Sequence, residues 1–277
     1  MNFKISKYTF GSDFELAVKE INGNIIPALM VPGTKDNPVS IGNNCFCQRD
    51  GVNFEANIPP VNTKKDWLKY TDYCFKEGNR LLALQGLTLH PSSSHVYSPE
   101  QLDQGDLRKL FCTESNDAYQ NGKIRNVKVS KKTNMRTCGY HFHIGFNRKC
   151  PESGKFPDMA TKCLLAFYCD LHMGVVSVLL DTDNQRRNMY GKPGDFRFKS
   201  IGTPCNRLNL FEYRSLGGNL LKDKRNISWV FNAGKNVIKS FNARSPLPDL
   251  KIMYDTINNS DVSSAEKLIK EYNLLVI

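Results

Sequence analysis

The stretch that most constrains this chain is Thr137-Cys138-Gly139-Tyr140-His141-Phe142-His143-Ile144-Gly145-Phe146. Successive strand side chains point to opposite faces, so His141 and His143 share one face while Tyr140, Phe142 and Ile144 line the other. Such a strand needs a sheet with one face on an apolar core and a second face free to carry polar groups. A His-x-His pair is also what two half-buried strand histidines look like. Its meaning depends on what neighbouring strands carry.

Three other segments have the same character. Lys7 to Val18 alternates around Phe10, Phe14 and Leu16 and places Asp13 and Glu15 together on the opposite face. Phe46 to Ile58 alternates as one strand carrying Asp50, with Asn53, Glu55 and Asn57 on one face, and Pro59-Pro60 is expected to end it. In Asn209 to Leu216, Glu212 and Arg214 face one way, between Phe211 and Tyr213. Taken singly, a strand glutamate is commonly solvent-facing, and Glu212 beside Arg214 reads equally well as a structural ion pair. Asn22-Gly23-Asn24 signals a hairpin into a short strand from Ile25 to Met30, and Pro32 to Pro38 is a loop.

Helical spacing covers Thr63 to Gly86, Ile227 to Phe241, and Ser263 to Tyr272. Pro157-Asp158 opens a long apolar helix to about Leu180. Lys162, Asp170 and His172 interrupt that helix, and a central charge costs about 2.5–3.5 kcal/mol on insertion, so it is expected to be buried in protein and not in a membrane. Leu89 to Gly122 has no clean period, and Phe111 to Tyr119 within it reads as a substrate-side loop.

A chain of 277 residues with 40% hydrophobic content supports one sizeable core, and a single domain over 1–277 is expected. Asp13, Glu15, Lys19 and Glu20 break any secretory leader pattern, which predicts a cytoplasmic protein. Nine cysteines at irregular spacing fit neither a disulfide framework nor a zinc ribbon and are expected to be reduced. The net charge of +11 calls for a polyanionic partner, whether nucleic acid, nucleotide or an acidic substrate. Lys123 to Arg136 has little aromatic interleaving and reads as a solvated loop. Arg186 to Lys199 is different: Gly191 and Gly194 permit a tight loop, with Arg186, Arg187, Lys192, Arg197 and Lys199 placed to hold phosphate oxygens. It has no Walker A pattern.

Strand-borne carboxylates with an imidazole suit magnesium or manganese better than structural zinc. Cations flanked by arginines describe phosphoryl transfer, in which the catalyst positions and neutralises. The residues therefore point to a nucleotide-using or phosphate-cleaving enzyme, and a metal-dependent nuclease or phosphodiesterase stays open beside it. A nucleic-acid-binding protein without catalysis has only the charge behind it.

The order Gly11-x-Asp13-x-Glu15, Asp50 to Glu55, Gly139 to Gly145, Arg186-Arg187-x-x-Tyr190-Gly191-x-x-Gly194-x-x-Arg197 and Glu212-Tyr213-Arg214 resembles the phage-associated carboxylate–amine ligase family, second type, of the glutamine synthetase and glutamate–cysteine ligase superfamily. The resemblance runs from about residue 8 to 220 and leaves a helical extension from about 226 to 277 uncovered. It implies an α+β fold, a curved antiparallel sheet with the site on its concave face and helices outside. It implies ATP and Mg2+ (or Mn2+) as cofactors, and a small-molecule or peptide carboxylate and an amine as substrates, joined through an acyl-phosphate. It assigns Glu15, Glu55, His141 and Glu212 to metal, Arg214 to the phosphoryl group, and Arg187 and Arg197 to the nucleotide phosphates; Arg186, His143 and Lys199 are expected beside them at the nucleotide, with Arg197 also serving catalysis. Asp50 is expected to take the amine proton. Two departures stand out: Gly202 to Leu210 is inserted before Phe211, and the Gly-Cys then Pro-Asp pattern is only partly visible as Cys112 and Asp117.

Overall fold

The computed structural model describes residues 3–108, 114–125, 133–147, 157–203 and 206–277. The strands in chain order begin with β1 (Tyr8–Glu20), β2 (Ile25–Ile26), β3 (Val39–Gly42), β4 (Cys45–Asp50) and β5 (Asn53–Val61). After helix α1 (Lys64–Ala83) come β6 (Leu87–His90), β7 (Ser94–Val96), the single turn α2 (Pro99–Leu102), β8 (Ser115–Asp117), β9 (Lys123–Arg125), β10 (Met135–Thr137) and β11 (Tyr140–Asn147). Helices α3 (Met159–Cys169), α4 (Val175–Leu180) and α5 (Gln185–Met189) precede the hairpin β12 (Asp195–Thr203) and β13 (Asn206–Tyr213). The chain closes with α6 (Lys224–Ala243), α7 (Leu250–Asn258) and α8 (Val262–Glu271).

Among the described residues, eleven strands form one open sheet in the order β3-β4-β5-β1-β11-β13-β12-β8-β9, with β2 and β6 on the far end of β1. Every pairing in it is antiparallel. This is a mixed helix and antiparallel-sheet architecture. The alternation seen in the sequence assigns the faces. Phe14 stacks on Phe75 of α1 at 5.8 Å, Trp67 meets Phe142 at 5.8 Å, and Phe10 meets Phe231 of α6 edge-on at 5.3 Å. The odd-numbered partners Asp13, Glu15, His141 and His143 are thereby left on the opposite face. Residues of α6 to α8, including Phe231, Met253 and Leu268, belong to the same apolar cluster as the strands.

Several sequence expectations shift. Phe46 to Ile58 is not one strand, because Gly51, at φ 59°, turns the chain between β4 and β5. Nor does Pro59-Pro60 end β5. β4 pairs with β5 only as far as Asn57, and the β1 register slips between Phe10 and Ser12, so the prolines sit where the ladder asks for no N–H. The second strand is confined to Ile25–Ile26. The apolar helix runs from Met159 to Leu180, is mostly buried in the protein, and widens to a π-turn at Asp170–Gly174. The glycine-rich segment from Arg186 opens as α5 and ends as β12, and most of the supposed insertion from Gly202 is hairpin strand. Of the segment expected to be a solvated loop, Lys123–Arg125 is an edge strand and Arg136 is buried, while 126–132 lies outside the described residues. The same is true of Cys112 and of Phe111 to Thr113. Six described cysteines, Cys45, Cys47, Cys74, Cys138, Cys163 and Cys169, are buried free thiols.

Candidate active site

Strand register builds the site. Antiparallel pairing sets Asp13 opposite His141, Glu15 opposite Glu55, and His143 opposite Glu212, with Arg197 on the other side of Glu212. Directly opposed like charges destabilise a sheet, so the Glu15–Glu55 pair needs compensation from elsewhere. Two groups of potential ligand atoms result. Asp13, His143 and Glu212 bring one atom each within 4.8 Å of one another, and so do Glu15, Asp50 and Glu55.

Fixed hydrogen bonds hold these groups. His141 Nδ1 lies 2.9 Å from Asp13 Oδ1, and His143 Nε2 lies 3.2 Å from the same oxygen. Glu15 Oε2 accepts from the Gly139 N–H at 2.7 Å and from Asn53 Nδ2 at 3.4 Å, while Asn53 Nδ2 also donates to the Thr137 carbonyl at 2.8 Å. Arg214 Nη1 donates to Glu212 Oε1, and Arg197 Nη1 is 3.6 Å from that oxygen.

Burial and crowding set the ionisation. Glu15 is pushed up to about 7 by burial and by Asp50, against the Gly139 N–H and the more distant Arg186. Burial, then the neighbouring Asp13, Glu15 and Asp50, hold Glu55 well above the ordinary carboxylate range. Glu212 is raised by burial and Asp13. Asp13 goes the other way: burial opposes its charge, but His143 and His141 together outweigh that and keep it well below the usual value. Burial would also lower His143, yet Asp13 raises it overall. His141 falls to about 3 through burial and the charge of Arg214.

The cleft over these strands has about 760 Å³ of space, part of it open to solvent, and is lined by Asp13, Glu15, Asp50, Glu55 and His141. Lys35, Arg136, Arg197, Lys199 and Arg214 line it as well, with Met189 and Tyr190. Lys35 Nζ is 3.7 Å from Asp50, and the Arg214 guanidinium carbon is 5.1 Å from the Tyr190 ring centre.

The structure thus brings Glu15, Glu55, His141, Glu212, Asp50, His143, Arg197, Lys199 and Arg214 to one face. His143, expected at the nucleotide, sits in a ligand-spaced group, and Asp50, expected as proton acceptor, sits in the other. Arg186 and Arg187 are not brought there. Arg186 is 1% exposed and donates to the Arg214 and Ser215 carbonyls at 3.0 Å each. Arg187 donates to Ser177 Oγ and Ser260 Oγ among the helices. Both arginines lie on α5, which the glycines had disguised as a loop. Asp13 shares the parity of Glu15, and that alternation is the sequence signal for its place on the same face. Lys35 and Arg136 carried no sequence signal for this site, since neither belongs to a long alternating strand, whereas Tyr190 stood in the glycine-rich motif without a role assigned to it.

No family model matches the chain, and no curated protein matches it. Among solved structures, the chain is similar to one described as a novel glutamine synthase homolog, at a TM-score of 0.46 and 9% identity, over 96% of this chain and 67% of that chain.

Proposed function

We propose that the protein is an ATP- and Mg2+- (or Mn2+-) dependent carboxylate–amine ligase, of the kind the sequence motifs resemble, acting as a single catalytic domain. One observation carries this reading: two donor groups, rich in carboxylates and including one imidazole, lie on adjoining strands at a cleft that four of the six donors line together with five cationic side chains. The donors fit hard divalent cations in their chemistry, and the raised Glu15, Glu55 and Glu212 mark a site short of positive charge where those cations belong. Bound there, the cations supply charge neutralisation for the β- and γ-phosphate oxygens.

The remaining work falls to the side chains. Asp13, His143 and Glu212 hold one cation, and Glu15, Asp50 and Glu55 the other. Arg214 and Arg197 meet the phosphoryl oxygens, where charge grows as the carboxylate of the acid substrate attacks and ADP leaves. Lys199 binds nucleotide phosphate beside them. Lys35 is left to orient the acid; an amine then attacks the acyl carbon of its acyl-phosphate, the bond to phosphate breaks, and the proton lost by the amine leaves with the phosphate.

Purified protein given ATP, Mg2+ and a pool of carboxylic acids and amines should release ADP and phosphate, and hydroxylamine should trap a hydroxamate. Metal-dependent nicking of DNA or RNA at this site, with no nucleotide consumed, would instead establish phosphodiester hydrolysis.

A further inference from the structure

The π-turn in the apolar helix is built around one side chain. Asp170 is fully buried at the start of that turn, where the helix is widened by a residue. Its Oδ1 accepts from the Tyr213 hydroxyl at 2.6 Å and its Oδ2 from the Tyr119 hydroxyl at 2.9 Å. Gly174 closes the socket: a Cβ there would stand 2.8 Å from the Tyr213 hydroxyl and 2.8 Å from Ile257 Cδ1. Burial pushes Asp170 up to about 7, against the pull of its two phenols. A carboxyl this costly to bury, where an apolar side chain would pack, asks what its bonds hold in place.

Tyr213 lies between Glu212 and Arg214 on β13. Its side chain enters the helices, while Arg214 lines the cleft on the opposite side and donates to Glu212 beside it. The backbone beyond is held as well, with the Arg214 N–H on the Asp195 carbonyl at 3.0 Å and the Ser215 hydroxyl on the Lys192 carbonyl at 2.7 Å. Tyr119 belongs to a short 3-10 turn after β8 that contributes nothing to either ligand group. It steadies the carboxyl but not the strand with the ligands.

We propose that Asp170 is a positioning residue: through the Tyr213 hydroxyl it fixes the height of β13 over the helices, and with it the reach of Glu212 and Arg214 into the cleft. This rests on the ligase reading only in taking Glu212 as a cation ligand.

The test is Mn2+ binding by the full chain, followed by electron paramagnetic resonance, beside thermal melting. Tyr213→Phe and Asp170→Asn keep the shape of the socket and are expected to weaken Mn2+ binding about tenfold, the scale of lost support for a metal ligand. Tyr119→Phe removes an equivalent bond to the same carboxyl and should lower the melting temperature comparably, yet leave Mn2+ affinity within about twofold. Equal Mn2+ affinities in all three variants and the unaltered chain, or losses that only follow melting temperature, would overturn the positioning role while leaving the ligase reading intact. No Mn2+ binding by the unaltered chain would overturn both.

Discussion

Glu212 Oε1 is the atom on which three nitrogen-bearing side chains of the site converge. Arg214 donates to it, and Arg197 Nη1 and His141 Nδ1 each lie 3.6 Å away. A cation claiming that oxygen competes with two guanidiniums. Arg214→Ala should therefore act in two directions at once. Turnover should drop about 10²–10³-fold, as when a donor to developing charge is removed, with nucleotide affinity changing far less. Mn2+ affinity should rise severalfold, because Glu212 loses its resident partner. Kinetics and a Mn2+ titration on one preparation check both. Glu55 offers the complementary case. Its raised carboxyl keeps more protons folded than unfolded, so the stability it removes grows as pH rises towards its folded value. Glu55→Gln has no such penalty, so its gain in melting temperature over the parent in EDTA should widen as pH rises above the ordinary carboxylate range, while Mn2+ binding weakens. A pH-independent difference would contradict the assigned ionisation.

At the scale of elements, the strands that alternate were readable because their side chains obey the pleat and little else. β1, β11 and β13 presented Glu15, His141 and Glu212 on the cleft face as the period required. What could not be read came from tertiary rules that override local ones. Pro59 and Pro60 look like terminators, yet they sit beyond the β4 ladder. Gly191 and Gly194 suggest a phosphate loop, but Arg186 turns inward because two backbone carbonyls at the end of β13 need donors. Lys35 and Arg136 reach the cleft from a loop and a three-residue strand, where no period exists to place them. Close backbone approach is similarly invisible in sequence. A Cβ on Gly218 would meet the Ser92 carbonyl oxygen at 2.4 Å and that of Glu15 at 3.1 Å. Backbone atoms cannot step aside as a side-chain tip can, so Gly218→Ala should cost about 1–3 kcal/mol in urea unfolding.

For the molecule as a whole, cation binding and proton binding oppose one another. Glu15 holds a proton in the folded state between its ordinary value and about pH 7, and Glu55 and Glu212 are raised in the same direction, so a cation bound in that window would have to expel protons. The melting-temperature increase given by a fixed Mn2+ concentration should therefore be larger at pH 7.5 than at pH 5.5. His141, lowered to about 3, is already neutral at both and cannot blur the comparison. An equal increase at the two pH values would mean that no proton is displaced. The central strand has one more consequence. β1 pairs with β5 on one flank, but its other flank, at Tyr8 to Phe14, is covered by β11, more than a hundred residues later in the chain. While the protein is being synthesised, that flank is an open ladder of N–H and carbonyl groups beside Phe10 and Phe14, a template for any other nascent strand. The residues that later carry the cleft's charge are thus the ones whose strand most needs a chaperone's cover until the second half of the chain arrives.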